Sequence, residues 1–166
     1  MGKKHNNVVN VDELSWENFG NGARFESASK SLGDRAGSAR LGCSLYRQPP
    51  GKQAFPKHHH YNIEEAVYVL EGQGTMIIGD DQVPLEPGDY VALPVGEHLA
   101  HAIVNTSDAD LVYLCMSTID FPDVIGYPDS GKIGVVTGWE EGGTPKGHFR
   151  GLFKRGDTVP YFTDED

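Results

Sequence analysis

Three consecutive histidines, His58, His59 and His60, precede a glutamate at Glu65. Residues two apart on a β-strand face the same side, so His58 and His60 would point together while His59 points away. Glu65, on the next strand, can bring a carboxylate to these imidazoles, and His101, on a later strand, can bring a third imidazole. Imidazole nitrogens with one carboxylate oxygen suit manganese, iron, nickel, copper or zinc. The spacing therefore predicts a site for one divalent transition metal ion.

Each of these histidines also has a simpler interpretation. Adjacent histidines occur in solvated loops, and a single histidine such as His101 is most often an ordinary, partly buried residue. The metal site is favoured by a combination of features: the His-x-His pattern, the acidic pair Glu64 and Glu65, and the apolar run that follows this pair.

The elements that must position these side chains are short strands. From Ala39 onward, apolar runs return about every ten residues between turns rich in Gly and Pro, which is typical of all-β sandwiches and barrels. No segment keeps a helical period, so we predict an all-β fold. The expected strands cover residues 40–47, 55–60, 65–70, 75–78, 83–85, 90–94, 101–105 and 111–117.

The chain divides into three parts by composition. They are an N-terminal arm over 1–38, a barrel core over 39–120 and a C-terminal extension over 121–166. The arm is expected to pack on the barrel or on a second subunit, and the extension on the barrel. Within the extension we expect turns around Phe121 and Tyr127, one strand near Ile133 and a solvated end over 163–166.

Strand alternation also indicates which residues line the barrel interior. The candidates for the pocket are Tyr46, Phe55, Ile103, Tyr113 and Cys115, although such residues more often belong simply to the core. Asn105 either bonds across strands or reaches a ligand, and the first is favoured. A phosphorylated substrate would need cations near the mouth of the pocket, for which Lys57, Arg47 and Lys132 are the candidates.

Charge and composition exclude several classes of function. The formal net charge is -10 and no basic stripe is present, so we expect no nucleic acid and no acidic membrane as partner. No apolar run approaches the length that spans a membrane, and no secretory signal is recognisable, so we expect a cytoplasmic protein. Cys43 and Cys115 each lie in an apolar run, which favours two buried thiols over a disulfide.

Two stretches of the chain resemble the two sequence motifs of the cupin superfamily. They read Gly51…His58-x-His60-x4-Glu65-x6-Gly72 and Gly88-x5-Pro94-x-Gly96…His101-x3-Asn105. The resemblance implies a single jelly-roll barrel, also called a double-stranded β-helix. It also implies one divalent metal ion, such as Zn, Mn, Fe or Ni, held by His58, His60, Glu65 and His101.

The chain departs from the family pattern at two places, because both glycine-to-histidine spacings are longer than usual. The second departure makes His98 a rival of His101, with a place at the mouth of the pocket as its other role. The His-x3-Asn spacing favours His101. Glu64 is likewise a rival of Glu65, and the spacing to Gly72 favours Glu65.

The segment from Gly126 to Lys132 fits the phosphate-loop pattern Gly-x4-Gly-Lys. We reject a nucleotide site, because Ile133 stands where that loop needs a Ser or Thr and no strong helix follows. The segment resembles one found after the barrel in single-domain bacterial cupins that carry sugar-phosphate isomerase labels. A turn is the simplest interpretation, and the functional one is that Lys132 or Tyr127 reaches the pocket or a dimer contact.

We expect a metal-dependent enzyme that acts on a small polar molecule, with isomerase-, dioxygenase- or decarboxylase-type chemistry. The metal would act as a Lewis acid, with Glu65 or Glu64 as the catalytic proton carrier. The alternative is a non-catalytic cupin that binds or senses a small molecule. A homodimer is expected, because single-domain cupins commonly pair and the arm and extension are long.

Overall fold

The computed structural model describes residues 5–138 and 146–165, and within them the backbone is mostly strand. The strands are β1 (Glu17–Asn21), β2 (Phe25–Ser31), β3 (Leu41–Gln48), β4 (His59–His60), β5 (Glu65–Glu71), β6 (Gly74–Ile78), β7 (Asp81–Leu85), β8 (Tyr90–Leu93), β9 (His101–Val104), β10 (Leu111–Thr118), β11 (Asp123–Tyr127), β12 (Lys132–Val136) and β13 (Arg150–Lys154). The helical elements are α1 (Leu32–Arg35) and 3-10 turns at Val11–Glu13, Glu97–Leu99 and Pro128–Ser130.

The strands form two walls of an antiparallel jelly-roll barrel. One wall is a six-stranded sheet in the order β1-β2-β3-β10-β5-β8. The other consists of a three-stranded sheet, β7-β6-β9, and a four-stranded sheet, β13-β12-β11-β4. His58 and His101 join these two sheets by exchanging backbone hydrogen bonds, with His58 N 3.0 Å from His101 O and His101 N 2.7 Å from His58 O. The all-β prediction is confirmed.

The core lies between the two walls and is set by strand alternation. On β5, Val67 and Val69 point inward and are almost fully buried, while Tyr68 and Leu70 point outward and are exposed. The residues that complete the buried cluster are Met76, Leu85, Leu93, Leu111 and Tyr113. Glu65 shares the inward parity of Val67 and Val69, so the same alternation that builds the core turns its carboxylate into the barrel.

The segments outside the expected barrel core also form strands. In the predicted arm, β1 and β2 extend the six-stranded sheet through pairing of β2 with β3. In the extension, bends at Phe121 and Pro122 and a 3-10 turn at Pro128–Ser130 lie where turns were expected, but the strand between them, β11 (Asp123–Tyr127), was missed; it pairs with β12 and β4. Neither strand of the arm has a regular apolar alternation, and β11 contains Gly126, so their pairing partners specify them more than their own sequence.

Other expectations differ from the structure in extent. Only His59–His60 of the expected strand over 55–60 is a strand, because the chain before it meets β9 at a single residue pair. Residues 163–165 are exposed, and Asp166 lies outside the described residues.

Cys43 and Cys115 are free thiols. Across residues 5–138 and 146–165, no helix combines the length and the apolar character needed to cross a membrane.

Asn105 lies directly after β9 and closes this end of the barrel. Its fully buried side chain donates from Nδ2 to the carbonyl oxygens of Gln48 and Ala109, each at 2.7 Å, and Oδ1 accepts from the backbone N–H of Ser107 at 3.0 Å. It therefore bonds to neighbouring backbone and does not reach the interior cavity.

We predict that Asn105→Ala lowers the free energy of unfolding by about 3 kcal/mol, because it leaves buried carbonyl groups without donors. Urea denaturation followed by tryptophan fluorescence measures the change. Thr106→Ala is the matched control, since the Thr106 hydroxyl makes an exposed hydrogen bond to Thr75 at 3.0 Å and its loss should cost less than about 1 kcal/mol. Equal losses for the two variants would contradict the structural role of Asn105.

Candidate metal centre

The four predicted metal ligands come together where the two walls face each other. Glu65 projects from β5 of the six-stranded wall, while His60 on β4, His58 just before it and His101 on β9 project from the other wall. Oε2 of Glu65 lies 3.1 Å from Nε2 of His101, 3.4 Å from Nε2 of His60 and 3.7 Å from Nε2 of His58. Three imidazole nitrogens thus converge on one carboxylate oxygen.

In each of the three imidazole rings, Nδ1, the nitrogen that points away from Glu65, lies within hydrogen-bonding distance of an acceptor oxygen. Nδ1 of His58 lies 2.9 Å from the carbonyl oxygen of Pro56, and Nδ1 of His101 lies 3.0 Å from that of Leu99. A carbonyl oxygen only accepts, so in both rings Nδ1 donates a proton and the neutral ring keeps its Nε2 lone pair for the cluster. Nδ1 of His60 lies 2.6 Å from Oδ2 of Asp123.

Burial and charge shift the protonation of the cluster. Burial alone would lower the pKa of His60, but the carboxylates of Asp123 and Glu65 outweigh it and raise the pKa to about 9. Burial alone would raise the pKa of Glu65, but the imidazoles of His101, His58 and His60 that face its carboxylate hold the pKa well below the usual value. Glu65 is therefore a carboxylate throughout the physiological range.

The residues present fit a divalent transition metal ion. Nε2 of His60 is buried and has no hydrogen-bond partner among the described residues. The ligand atoms of His58, His60 and Glu65 lie within 4.8 Å of one another, and His101 adds a third imidazole beside Glu65. A buried nitrogen without a partner, aimed at a carboxylate and two further imidazoles, is the donor arrangement that such an ion satisfies.

The cluster opens into a cavity of about 280 Å³. Besides the four ligands, the residues around the cavity are Tyr46, Phe55, Pro56, Val67, Leu93, Ala102, Ile103, Tyr113, Cys115, Ile125, Tyr127 and Arg150. Tyr46 stacks on Tyr113 with ring centroids 5.4 Å apart, and Tyr127 faces His58 at 6.1 Å. The walls are thus largely aromatic and apolar, with Arg150 as the cationic side chain.

The predicted pocket residues Tyr46, Phe55, Ile103 and Tyr113 all line this cavity. Two other candidates do not reach it. His98 is exposed in the turn Glu97–Leu99, outside the cavity wall. Glu64 is exposed because its parity is opposite to that of Glu65.

The two lysines proposed to bind substrate also lie away from the cavity. Lys57 donates from Nζ to the carbonyl oxygen of Gly79. Lys132 places Nζ 5.2 Å from the centre of the Tyr127 ring. Tyr127, which was the other candidate in this segment, does line the cavity.

Among the residues of the site that sequence reasoning missed are Asp123, Ile125 and Arg150. All three lie on β11 or β13, in the part of the chain that was expected to form turns and a tail. Since these strands carry no clear alternation, only their pairing across the extension would have revealed them.

We predict that the metal-free protein loses stability as the pH rises from about 6.5 to about 9. A histidine whose pKa is raised by folding contributes stability that is complete below its unfolded pKa and lost through its folded pKa. Glu65 acts in the opposite sense, with its contribution lost as the pH falls below about 4.5. Urea denaturation in the presence of chelator measures both slopes.

His60→Gln should flatten the loss between pH 6.5 and 9, whereas His98→Gln, at an exposed histidine, should leave it in place. A wild-type slope that survives in His60→Gln would show that another group is responsible.

Comparison with known proteins places this barrel in a family. Residues 44–117 match the model of the cupin domain. An uncharacterized protein of Methanocaldococcus jannaschii is 35% identical over 60 residues, and the matched segment spans 36% of this chain and 46% of that protein's length.

Two solved structures extend the match beyond the barrel core. A candidate sugar phosphate isomerase from Acidithiobacillus ferrooxidans is 30% identical, with a TM-score of 0.76, over 93% of this chain and 96% of that one. A predicted oxalate decarboxylase from Thermotoga maritima is 26% identical, with a TM-score of 0.58, over 67% of this chain and 97% of that one. The chain therefore belongs to the cupin superfamily.

Proposed function

We propose that this cupin is a metal-dependent enzyme that acts on a small polar molecule, with the ion held by His58, His60, Glu65 and His101. The observation that carries the proposal is that the four side chains open into a cavity of about 280 Å³ instead of being enclosed by the core. A site whose protein ligands occupy one side of the ion keeps positions for a substrate on the other.

When bound, the ion would supply a Lewis acid that polarises an oxygen of the substrate. Among the cavity-lining residues within 5–138 and 146–165, Glu65 supplies the only carboxylate, and the three imidazoles keep it ionised. The negative charge of the Glu65 carboxylate would reduce the net charge of the metal centre by one unit. Glu64 is exposed outside the cavity, so the role of proton carrier, if the reaction uses a carboxylate, falls to Glu65.

The other polar groups of the cavity act as hydrogen-bond donors. Burial, with help from Cys115 and Glu65, raises the pKa of Tyr46, and burial raises that of Tyr113 still more clearly. Burial and Glu65 likewise raise the pKa of the Cys115 thiol, whose Sγ lies 3.9 Å from Oε1 of Glu65. These groups therefore stay protonated, and Tyr46 can donate to a substrate oxygen while Cys115 does not serve as a nucleophile.

Isomerase-type chemistry has the support of the Acidithiobacillus ferrooxidans relative, and decarboxylase-type chemistry that of the Thermotoga maritima protein. Both reactions polarise a carbonyl or carboxyl oxygen next to the bond that changes, which suits a Lewis acid in an aromatic cavity. Dioxygenase-type chemistry would require iron or another redox metal in the same ligands.

One observation favours the alternative, a cupin that binds a small molecule without converting it. The protonated state of Tyr46, Tyr113 and Cys115 means that none of them serves as a general base near neutral pH. A binder needs no such base, and the same donors would recognise its ligand.

The homodimer and the cytoplasmic location stay predictions. The outer face of the six-stranded wall exposes Tyr68, Leu70 and Tyr90, of which Tyr68 and Tyr90 are direct cross-strand neighbours. An apolar face of this kind suits a second copy of the chain.

We predict that untagged, purified protein carries about one transition metal ion per chain, and that the double variant His58→Ala/His60→Ala loses it. Elemental analysis of both proteins measures the content. His98→Ala is the matched control, because it removes an exposed histidine outside the cavity. Iron would point to oxygen chemistry, and zinc or manganese to isomerase-type chemistry. If wild type binds no metal even after reconstitution, the enzyme proposal fails and a metal-free binding barrel replaces it.

We also predict that the Mn²⁺-loaded protein speeds the relaxation of water protons more than the same concentration of free Mn²⁺. A slowly tumbling ion with exchangeable water has this effect, and a site open to the cavity keeps such water. A relaxation rate below that of free Mn²⁺ would indicate a closed ion that only fastens the barrel walls together, and would contradict catalysis at this site.

A further inference from the structure

The strand that carries His60, β4, lies in the same sheet as the strands of the C-terminal extension. β4 pairs with β11, with His60 opposite Ile125 and His59 opposite Gly126. The pairing continues past the strand, since Tyr61 donates its backbone N–H to the carbonyl oxygen of Val124 at 3.0 Å. The position of this ligand therefore depends on the sheet β13-β12-β11-β4 as well as on the barrel.

Asp123, the first residue of β11, reaches back to this ligand. Its side chain is only 1% exposed, and Oδ2 lies 2.6 Å from Nδ1 of His60. Oδ1 is engaged separately, because it accepts the backbone N–H of Asn62 at 2.9 Å and lies 3.4 Å from that of Ile63. The two oxygens thus have different partners, one on the ligand ring and one on the turn that leaves β4.

The three histidines differ in the acceptor to which Nδ1 is hydrogen-bonded. His58 and His101 each use the carbonyl oxygen of a residue two positions earlier, so their orientation is set locally. His60 uses a carboxylate 63 positions later in the chain. A carboxylate is a stronger acceptor than a carbonyl and makes a histidine a more basic metal ligand.

We propose that Asp123 is a positioning residue of the metal centre: it accepts the Nδ1 proton of His60, fixes the ring against β11 and so leaves the Nε2 lone pair aimed at the ion. This inference rests on the proposed metal site. It makes the C-terminal extension part of the centre, because undocking β11 would remove the group that orients one of the four ligands.

Asp123→Asn separates this role from a merely structural one. The backbone N–H of Asn62 needs an acceptor, so the amide oxygen of the new side chain stays with it. The amide NH₂ then faces His60 and donates to Nδ1, which places the ring proton on Nε2, where the ion should bind. We expect the affinity for Zn²⁺ to fall by about 10- to 100-fold, measured by competition with a chromophoric chelator.

Asp129→Asn is the matched control, because it removes the same charge from an exposed acid in the same extension. It should bind Zn²⁺ as wild type does. If Asp123→Asn also binds as wild type does, or if Asp129→Asn weakens binding equally, the positioning role is wrong while the metal site itself stands.

The tautomer of His60 gives a readout that needs no metal. Nitrogen-15 NMR of the metal-free protein at a pH of about 10, above the raised pKa of His60, should show the proton on Nδ1 in wild type. In Asp123→Asn it should move to Nε2. A wild-type ring protonated on Nε2 would overturn the inference even if Asp123→Asn fails to fold, and wild type that shows the Nδ1 tautomer but binds no Zn²⁺ would instead refute the proposed function.

Discussion

The buried carboxylate of Glu65 is the constraint on which the rest of the site depends. A charge inside a barrel is costly unless it is paired, and here three imidazoles face one oxygen of the carboxylate. Because the carboxylate comes from one wall and the imidazoles from the other, the pairing also fixes how closely the walls approach. A divalent ion at this point would satisfy the carboxylate and the unpartnered Nε2 of His60 together.

Backbone pairing keeps the imidazoles in register with that carboxylate. His58 and His101 exchange two backbone hydrogen bonds, and this pair is where the three- and four-stranded sheets meet. At this junction the same two residues therefore connect the sheets and supply two of the candidate metal ligands. A register shift of one residue in either strand would turn a candidate ligand to the opposite face of the sheet. His59, one position away from both His58 and His60, points to that opposite face, where its ring lies beside Gly126.

The barrel is shared with relatives that carry different names, so the fold alone does not decide the reaction. The C-terminal extension adds a wall to the site, where Ile125, Tyr127 and Arg150 line the cavity. Burial keeps the hydroxyls of Tyr46 and Tyr127 and the Cys115 thiol protonated, so these groups stand as hydrogen-bond donors around the ionised carboxylate of Glu65.

The sequence by itself determined the barrel and the side on which each ligand points, because the alternation of a strand is local and His58, His60 and Glu65 obey it. It also favoured His101 over His98 through the spacing of a family motif. Only the tertiary structure decided which polar residues reach the cavity, since a lysine or a turn can lie on either side of a wall. Asp123 is the clearest case: the pairing of β4 with β11 brings its carboxylate to His60, 63 positions earlier in the chain, and no local pattern encodes such a contact.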